Sequence, residues 1–237
     1  MKPEFVLDED SFKMPGFANV HSHAFQYAIA GLTEEVSGHG DSFWTWRRKM
    51  YEAVKACNPE KLRTTASLLY CNMLKMGYTS VGEFHYLHHQ FDGQAYEDSS
   101  IMSQALLEAA ELSGIQLTLL PVLYSYSGFE RMNVEDEQRA FYCNTHTYLE
   151  LLEKLKKFIE QYSEAKLGIA FHSLRAVGVQ QIDEVLRWRK LNLPGCPVHI
   201  HIAEQQNEVV QCQEKYDATP VQYLCDNVEL DENWTLI

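Results

Sequence analysis

Short runs of strand-forming residues alternate with longer runs of helical periodicity along this chain, and that alternation constrains the fold more than any other feature. Strand-like segments at 17–23, 79–86, 116–124, 167–172 and 197–202 are separated by helical patterns. The helix near 60 has a start and a stop: Asn58 stands as a cap before Pro59, Leu62, Ala66, Leu69, Met73 and Met76 recur on one face, and Gly77 ends the run. Further helices are expected from Asp41, over 100–112 with Gly114 closing it, over 147–162 and 182–191, and in two segments near 206–215 and 219–228. Thr235-Leu236-Ile237 reads as the opening of a sixth strand. Strand–helix alternation of this length calls for right-handed βα units and a parallel sheet. Long polar loops after the strands favour a (β/α)8, TIM-like barrel over a doubly wound sheet, and no Gly-x-Gly-x-x-Gly follows the first strand.

Only about five βα units and the start of a sixth strand are present, so the barrel is expected to be incomplete and the chain a fragment. Residues 1–13 read as the remnant of an N-terminal segment and 14–237 as the N-terminal part of the barrel. Such a fragment by itself is expected to be inactive and poorly stable.

The chemistry concentrates at strand ends. Pro15-Gly16-Phe17-Ala18-Asn19-Val20 runs into His21-Ser22-His23, and residues two apart on a strand share a face about 6.6 Å apart along the chain. Two imidazoles on one face are half of a metal site, and a catalytic zinc ordinarily takes three protein ligands. His199 and His201 share a face of the fifth strand, and Glu204 falls just beyond its end, where a barrel keeps catalytic groups. Metal-assisted hydrolysis needs this combination, because the metal acidifies water and a carboxylate carries the proton. Glu83, His85 and Tyr86 follow the second strand, His172 and Arg175 the fourth. Each has a plainer reading: His85, His88 and His89 as a solvated loop cluster, Glu83 as half of an ion pair, Arg47 and Arg48 as surface cations, Trp44 and Trp46 as packing. His199 is expected to pack behind the ligands.

With 33 acidic against 20 basic side chains the formal charge is −13, which argues against a nucleic acid as partner but leaves room for a locally basic pocket. No apolar run is long enough to cross a bilayer, and Met1-Lys2-Pro3-Glu4 lacks signal-peptide architecture, so a cytoplasmic setting is expected, with no membrane partner. Six scattered cysteines without a Cys-x-x-Cys pair read as reduced thiols.

His21-Ser22-His23 together with His201-x-x-Glu204 resembles the amidohydrolase superfamily in its single-metal deaminase branch, and the resemblance runs from about Met14 to the C-terminus. Phe43-Trp44-Thr45-Trp46-Arg47, Glu83-Phe84-His85-Tyr86-Leu87-His88-His89 and His172-Ser173-Leu174-Arg175-Ala176-Val177 resemble more narrowly the deiminases of histidine degradation. The resemblance implies one Zn2+ or another divalent metal per site, held by His21, His23 and His201, with Glu204 as proton shuttle. It implies that Gln26, Arg47, Tyr86, His172 and Arg175 hold a small anionic substrate. The implied reaction is hydrolysis of N-formimidoyl-L-glutamate to N-formyl-L-glutamate and ammonia. A histidine on the sixth strand and an aspartate on the eighth complete such sites, and the sequence ends before both. A deaminase acting on a purine or nucleoside base and an inactive truncated remnant remain as alternatives, and a homodimer is left open as the assembly.

Overall fold

The computed structural model describes residues 6–8, 11–32 and 43–237. Two short strands, β1 (Val6–Asp8) and β2 (Ser11–Lys13), pair antiparallel as a small ribbon. Three residues per strand are too few for periodicity to reveal them. The main sheet comprises β3 (Phe17–Ser22), β4 (Tyr78–His85), β5 (Gln116–Leu123), β6 (Ala165–Leu167), β7 (Ile169–Phe171), β8 (Val198–Ile200) and β9 (Trp234–Leu236). The order is β3-β4-β5-β7-β8-β9 with β6 on β5, and every pairing is parallel. Each new strand joins on the same side as the last. The sheet therefore has no point where strand order reverses, which excludes the doubly wound alternative and gives a curled, incomplete barrel.

The helices are α1 (Phe43–Ala56), α2 (Pro59–Lys75), α3 (Ile101–Ser113), α4 (Thr145–Phe158), α5 (Val179–Asn192), α6 (Gln206–Tyr216) and α7 (Pro220–Asn227). The Asn58 side chain accepts a hydrogen bond from Lys61 N at 2.9 Å, as a cap before Pro59 should. Gly114 ends α3 with φ 82°, a left-handed conformation that costs glycine little. Strand residues Leu119, Leu120, Val122, Leu123, Ile169, Ala170, Phe171, Val198 and Ile200 are all buried, so consecutive residues on both faces are covered, as in a parallel sheet under helices.

The fourth expected strand is split in two at Gly168. A Cβ there would lie 2.6 Å from Leu120 Cδ2 and 2.8 Å from Pro197 O, so only glycine admits the neighbouring strands this closely. The first strand is also irregular: the four residues from Asn19 to Ser22 face the three from Val81 to Glu83, so Val20 and His21 together oppose Gly82 in a β-bulge. Gly82 makes room for it, since a Cβ would sit 2.7 Å from the bulged Val20 carbonyl. The bulge re-aims His21 at the C-terminal mouth of the sheet.

Candidate metal centre and anion cavity

His21 lies on the bulge and His23 just past the end of β3, where a 3-10 turn over Ala24–Ile29 begins. His201 follows β8 directly. Nε2 of His21 is 3.0 Å from Nε2 of His23 and 3.0 Å from Nε2 of His201. One proton on His21 could satisfy just one of these two contacts, whereas a single cation accepts all three lone pairs. Nδ1 of His23 donates to the Phe84 carbonyl at 3.0 Å, which leaves its Nε2 bare and aimed at the cluster. Burial holds all three rings neutral: it lowers His21, brings His23, with His21 beside it, down to about 3, and depresses His201 strongly, with His172, His23 and His21 adding to the effect. The donor set fits a divalent cation of the kind imidazole prefers.

The turn that carries His23 is tied down from β4. Glu83, 1% exposed, accepts from Ala24 N at 2.6 Å, from Tyr70 Oη at 3.2 Å and from the Ser22 hydroxyl, and burial raises its carboxyl to about 7. Among the described residues it forms no ion pair; it holds the Ser22 side chain between His21 and His23 and the backbone just after His23.

The nine residues to which the family resemblance gives a role line one cavity of about 580 Å³: His21, His23, Gln26, Arg47, Tyr86, His172, Arg175, His201 and Glu204. Gln26 Nε2 donates to Tyr86 Oη at 2.9 Å, and Arg47 Nε to Tyr51 Oη at 2.8 Å. His172 follows β7; its Nδ1 lies 3.2 Å from Ser173 Oγ, and burial, aided by Arg175, keeps it uncharged. Glu204 sits in the loop between β8 and α6, and its Oε2 accepts from Arg175 Nη2 at 3.2 Å. The turn into Glu204 passes through Ala203 with φ 57°, a left-handed conformation unusual for a residue with a Cβ.

Several expectations change. His85 and His88 are not a solvated cluster: they are 1% and 3% exposed, and His88 Nε2 donates to Val122 O at 2.9 Å. Arg47 faces the cavity rather than solvent, while Arg48 is exposed. Trp46 is half-buried against the core and also reaches the cavity, and the Trp44 side chain lies outside the described residues. His199 is 5% exposed behind His21, with burial and His21 lowering it to about 4.

Other cavity residues escaped the sequence reading. Tyr124 directly follows β5, its hydroxyl accepting from Gln138 Nε2 at 2.9 Å, and the loop after it brings Glu135, Gln138 and Phe141 to the wall. Their one local sign is the spacing Glu135-x-x-Gln138, whose reciprocal cap appears as Gln138 Oε1 accepting from Glu135 N at 2.9 Å. Glu208, in the first turn of α6, reads in the sequence as an ordinary helix-start acid.

Residues 12–233 match the family model of the amidohydrolase family. A curated formimidoylglutamate deiminase from Pseudomonas aeruginosa is 49% identical over 224 residues, covering 94% of this chain and 49% of that protein. The crystal structure of an amidohydrolase from Brucella melitensis superposes with a TM-score of 0.88 at 43% identity, over 94% of this chain and 49% of that one. An atrazine chlorohydrolase from Arthrobacter aurescens, crystallised with zinc, shares the fold with a TM-score of 0.74 at 16% identity, over 94% and 48% of the two chains. The chain thus spans about half the length of the curated relative and solved structures it matches. A curled parallel sheet with three imidazoles converging at its C-terminal mouth agrees with the family match over almost all of its length, and the chain belongs to the amidohydrolase family.

Proposed function

We propose that this chain supplies the metal-binding and substrate-binding half of a zinc-dependent formimidoylglutamate deiminase. The observation that carries the reading is a single cavity in which two guanidinium groups, Arg47 and Arg175, share the walls with three convergent neutral imidazoles and a carboxylate. The 49% identical relative named as a formimidoylglutamate deiminase points the same way.

When bound by His21, His23 and His201, a divalent cation supplies Lewis acidity and a water acidified toward neutral pH. The substrate carries two carboxylates, and each guanidinium can meet one of them with two parallel hydrogen bonds, worth roughly 1.5–3 kcal/mol for a bond to a charged group. Gln26, Tyr86 and His172 orient the formimidoyl group. Tyr86 stays protonated because burial raises its hydroxyl far above the usual range, so it donates. Glu204 takes a proton from the attacking water and delivers it to the terminal amidine nitrogen, and the second water proton passes to the same nitrogen as the carbonyl forms. The C–N bond to that nitrogen breaks, ammonia leaves, and N-formyl-L-glutamate remains. A flat neutral purine has no carboxylate to offer either guanidinium, so it forgoes the charge-assisted, two-pronged bonds that a dianion gains.

The test is ammonia release by the complete, metal-loaded protein from N-formimidoyl-L-glutamate, with adenosine and guanine in parallel. Turnover of formimidoylglutamate at least a thousandfold better in kcat/KM is expected. Faster turnover of either purine compound would replace the deiminase reading by the purine one.

A further inference from the structure

Glu208 takes no part in the chemistry described so far, yet it touches both groups that do. It is 2% exposed on α6. Its Oε2 accepts from the backbone N–H of Glu204 at 3.1 Å and lies 3.5 Å from Nε of Arg175. The second contact is ionic rather than a formed hydrogen bond, since neither Arg175 Nε nor Glu208 Oε1 has a hydrogen-bond partner among the described residues. Arg175 in turn donates through Nη2 to Glu204 Oε2. Glu204 is thereby held twice, by its backbone from Glu208 and by its side chain from Arg175.

Two features show why a tie is needed there. Ala203, immediately before Glu204, has φ 57°, and a residue with a Cβ persists in that region only when its surroundings fix it. Glu204 also lacks a secondary-structure element of its own, lying between β8 and α6. A buried carboxylate on the helix that follows is the fixed point for that loop. It is equally the fixed point for Arg175, whose other carboxylate partner is the more exposed Glu204.

We propose that Glu208 is a positioning residue for the deimination, a buried anchor that holds the Glu204 loop and the Nε edge of Arg175 together, leaving the terminal edge of Arg175 to exchange Glu204 for a substrate carboxylate. This rests on the deiminase reading. Without the anchor, Arg175 keeps Glu204 as its carboxylate partner, so the substrate grip and the proton carrier neutralise each other. Loss of Glu208 therefore acts on KM through Arg175 and on kcat through Glu204.

The experiment uses the complete, metal-loaded protein with N-formimidoyl-L-glutamate as probe. Glu208→Gln preserves volume and removes charge; kcat/KM is expected to fall about 10²-fold at unchanged metal content, the size typical of a misplaced catalytic group. Glu208→Asp keeps the charge and should recover part of that loss, and it carries the test should the Gln variant not fold. In an Arg175→Lys background the KM effect of Glu208→Gln should largely vanish. Wild-type kinetics for Glu208→Gln, or a Gln variant better than Asp, would mean that Glu208 merely fills space and would overturn the proposal. A crystal structure of Glu208→Gln without substrate separates the two readings. Displaced Arg175 and Glu204 support the anchor even if the wild type proves inactive on formimidoylglutamate, an outcome that would remove only the substrate assignment. Unmoved side chains reject the anchor even if the wild type is active.

Discussion

The two ends of the cavity are built on opposite electrostatic rules. At one end, His21, His23, His201 and the neighbouring His172 are kept uncharged by burial, and Phe84 and Glu83 fix the geometry through backbone contacts. At the other, the Arg175 guanidinium lies against the carboxylates of both Glu204 and Glu208. Neutral lone pairs are what a cation needs, and a guanidinium that has only carboxylates to exchange is what an anion needs. The neutral end is tied from beneath by the buried carboxyl of Glu83, while Glu204 stands about a third exposed.

If this division holds, substitutions at the two ends should fail in different ways. His201→Ala removes one of three ligands and should abolish both metal retention and turnover, measured by elemental analysis and ammonia release. Full metal occupancy in that variant would dissolve the comparison at its neutral end. Glu204→Gln should leave metal content untouched while turnover falls about 10²–10⁴-fold, the usual contribution of a general acid–base group. Metal loss there would make Glu204 a ligand and merge the two ends into one.

A smaller effect is expected from the support beneath the neutral end. Gly82→Ala places a methyl 2.7 Å from the Val20 carbonyl, so the bulge that aims His21 must shift. Overpacking of this kind typically costs about 1–3 kcal/mol. Metal affinity should weaken about tenfold, since groups that orient ligands contribute on that scale. A metal titration showing unchanged affinity would leave the bulge as a feature of the sheet with no bearing on the site.

What the sequence disclosed about these two ends follows from how local the signals are. The alternation of strands and helices, the Asn58-Pro59 helix start and the Gly114 stop are set by neighbouring residues, and all were legible. Strand ends share one mouth in a parallel sheet, which made the histidines of the first and fifth strands legible as a group, and the resemblance to the amidohydrolases singled out His201 over His199. The bulge at Val20 and His21 was not legible, because it depends on the missing Cβ of Gly82 on the adjacent strand. Gly168 splits a strand for a similar reason, its crowding coming from Leu120 and Pro197. For Glu83 an ion pair and a functional role stood side by side, because a carboxylate at a strand end suits either, yet its partners among the described residues are a backbone N–H and two hydroxyls. The anchor at Glu208 was hidden in the plainest way, as an acid in a first helical turn.

The finest test asks whether neutrality at the histidine end belongs to the fold or to the metal. His88 lies outside the ligand set, fully inside the protein, with burial lowering it to about 4 while its hydrogen bond to Val122 O partly opposes the shift. Its ordinary value is 6.5. Between those values the unfolded chain binds a proton that the folded chain refuses, so the stability it contributes is complete above pH 6.5 and is lost as the pH falls toward 4. At pH 5.5, one unit below the ordinary value, the loss is about 1.4 kcal/mol. His88→Asn keeps a donor for the Val122 carbonyl and has nothing to titrate, so its denaturant stability should fall less steeply than the wild type's between pH 6.5 and 4. The difference should be the same with and without metal. Equal slopes for the two proteins would show that His88 is protonated in the fold, and a difference seen only with metal would make the neutral end a consequence of the bound ion rather than of burial.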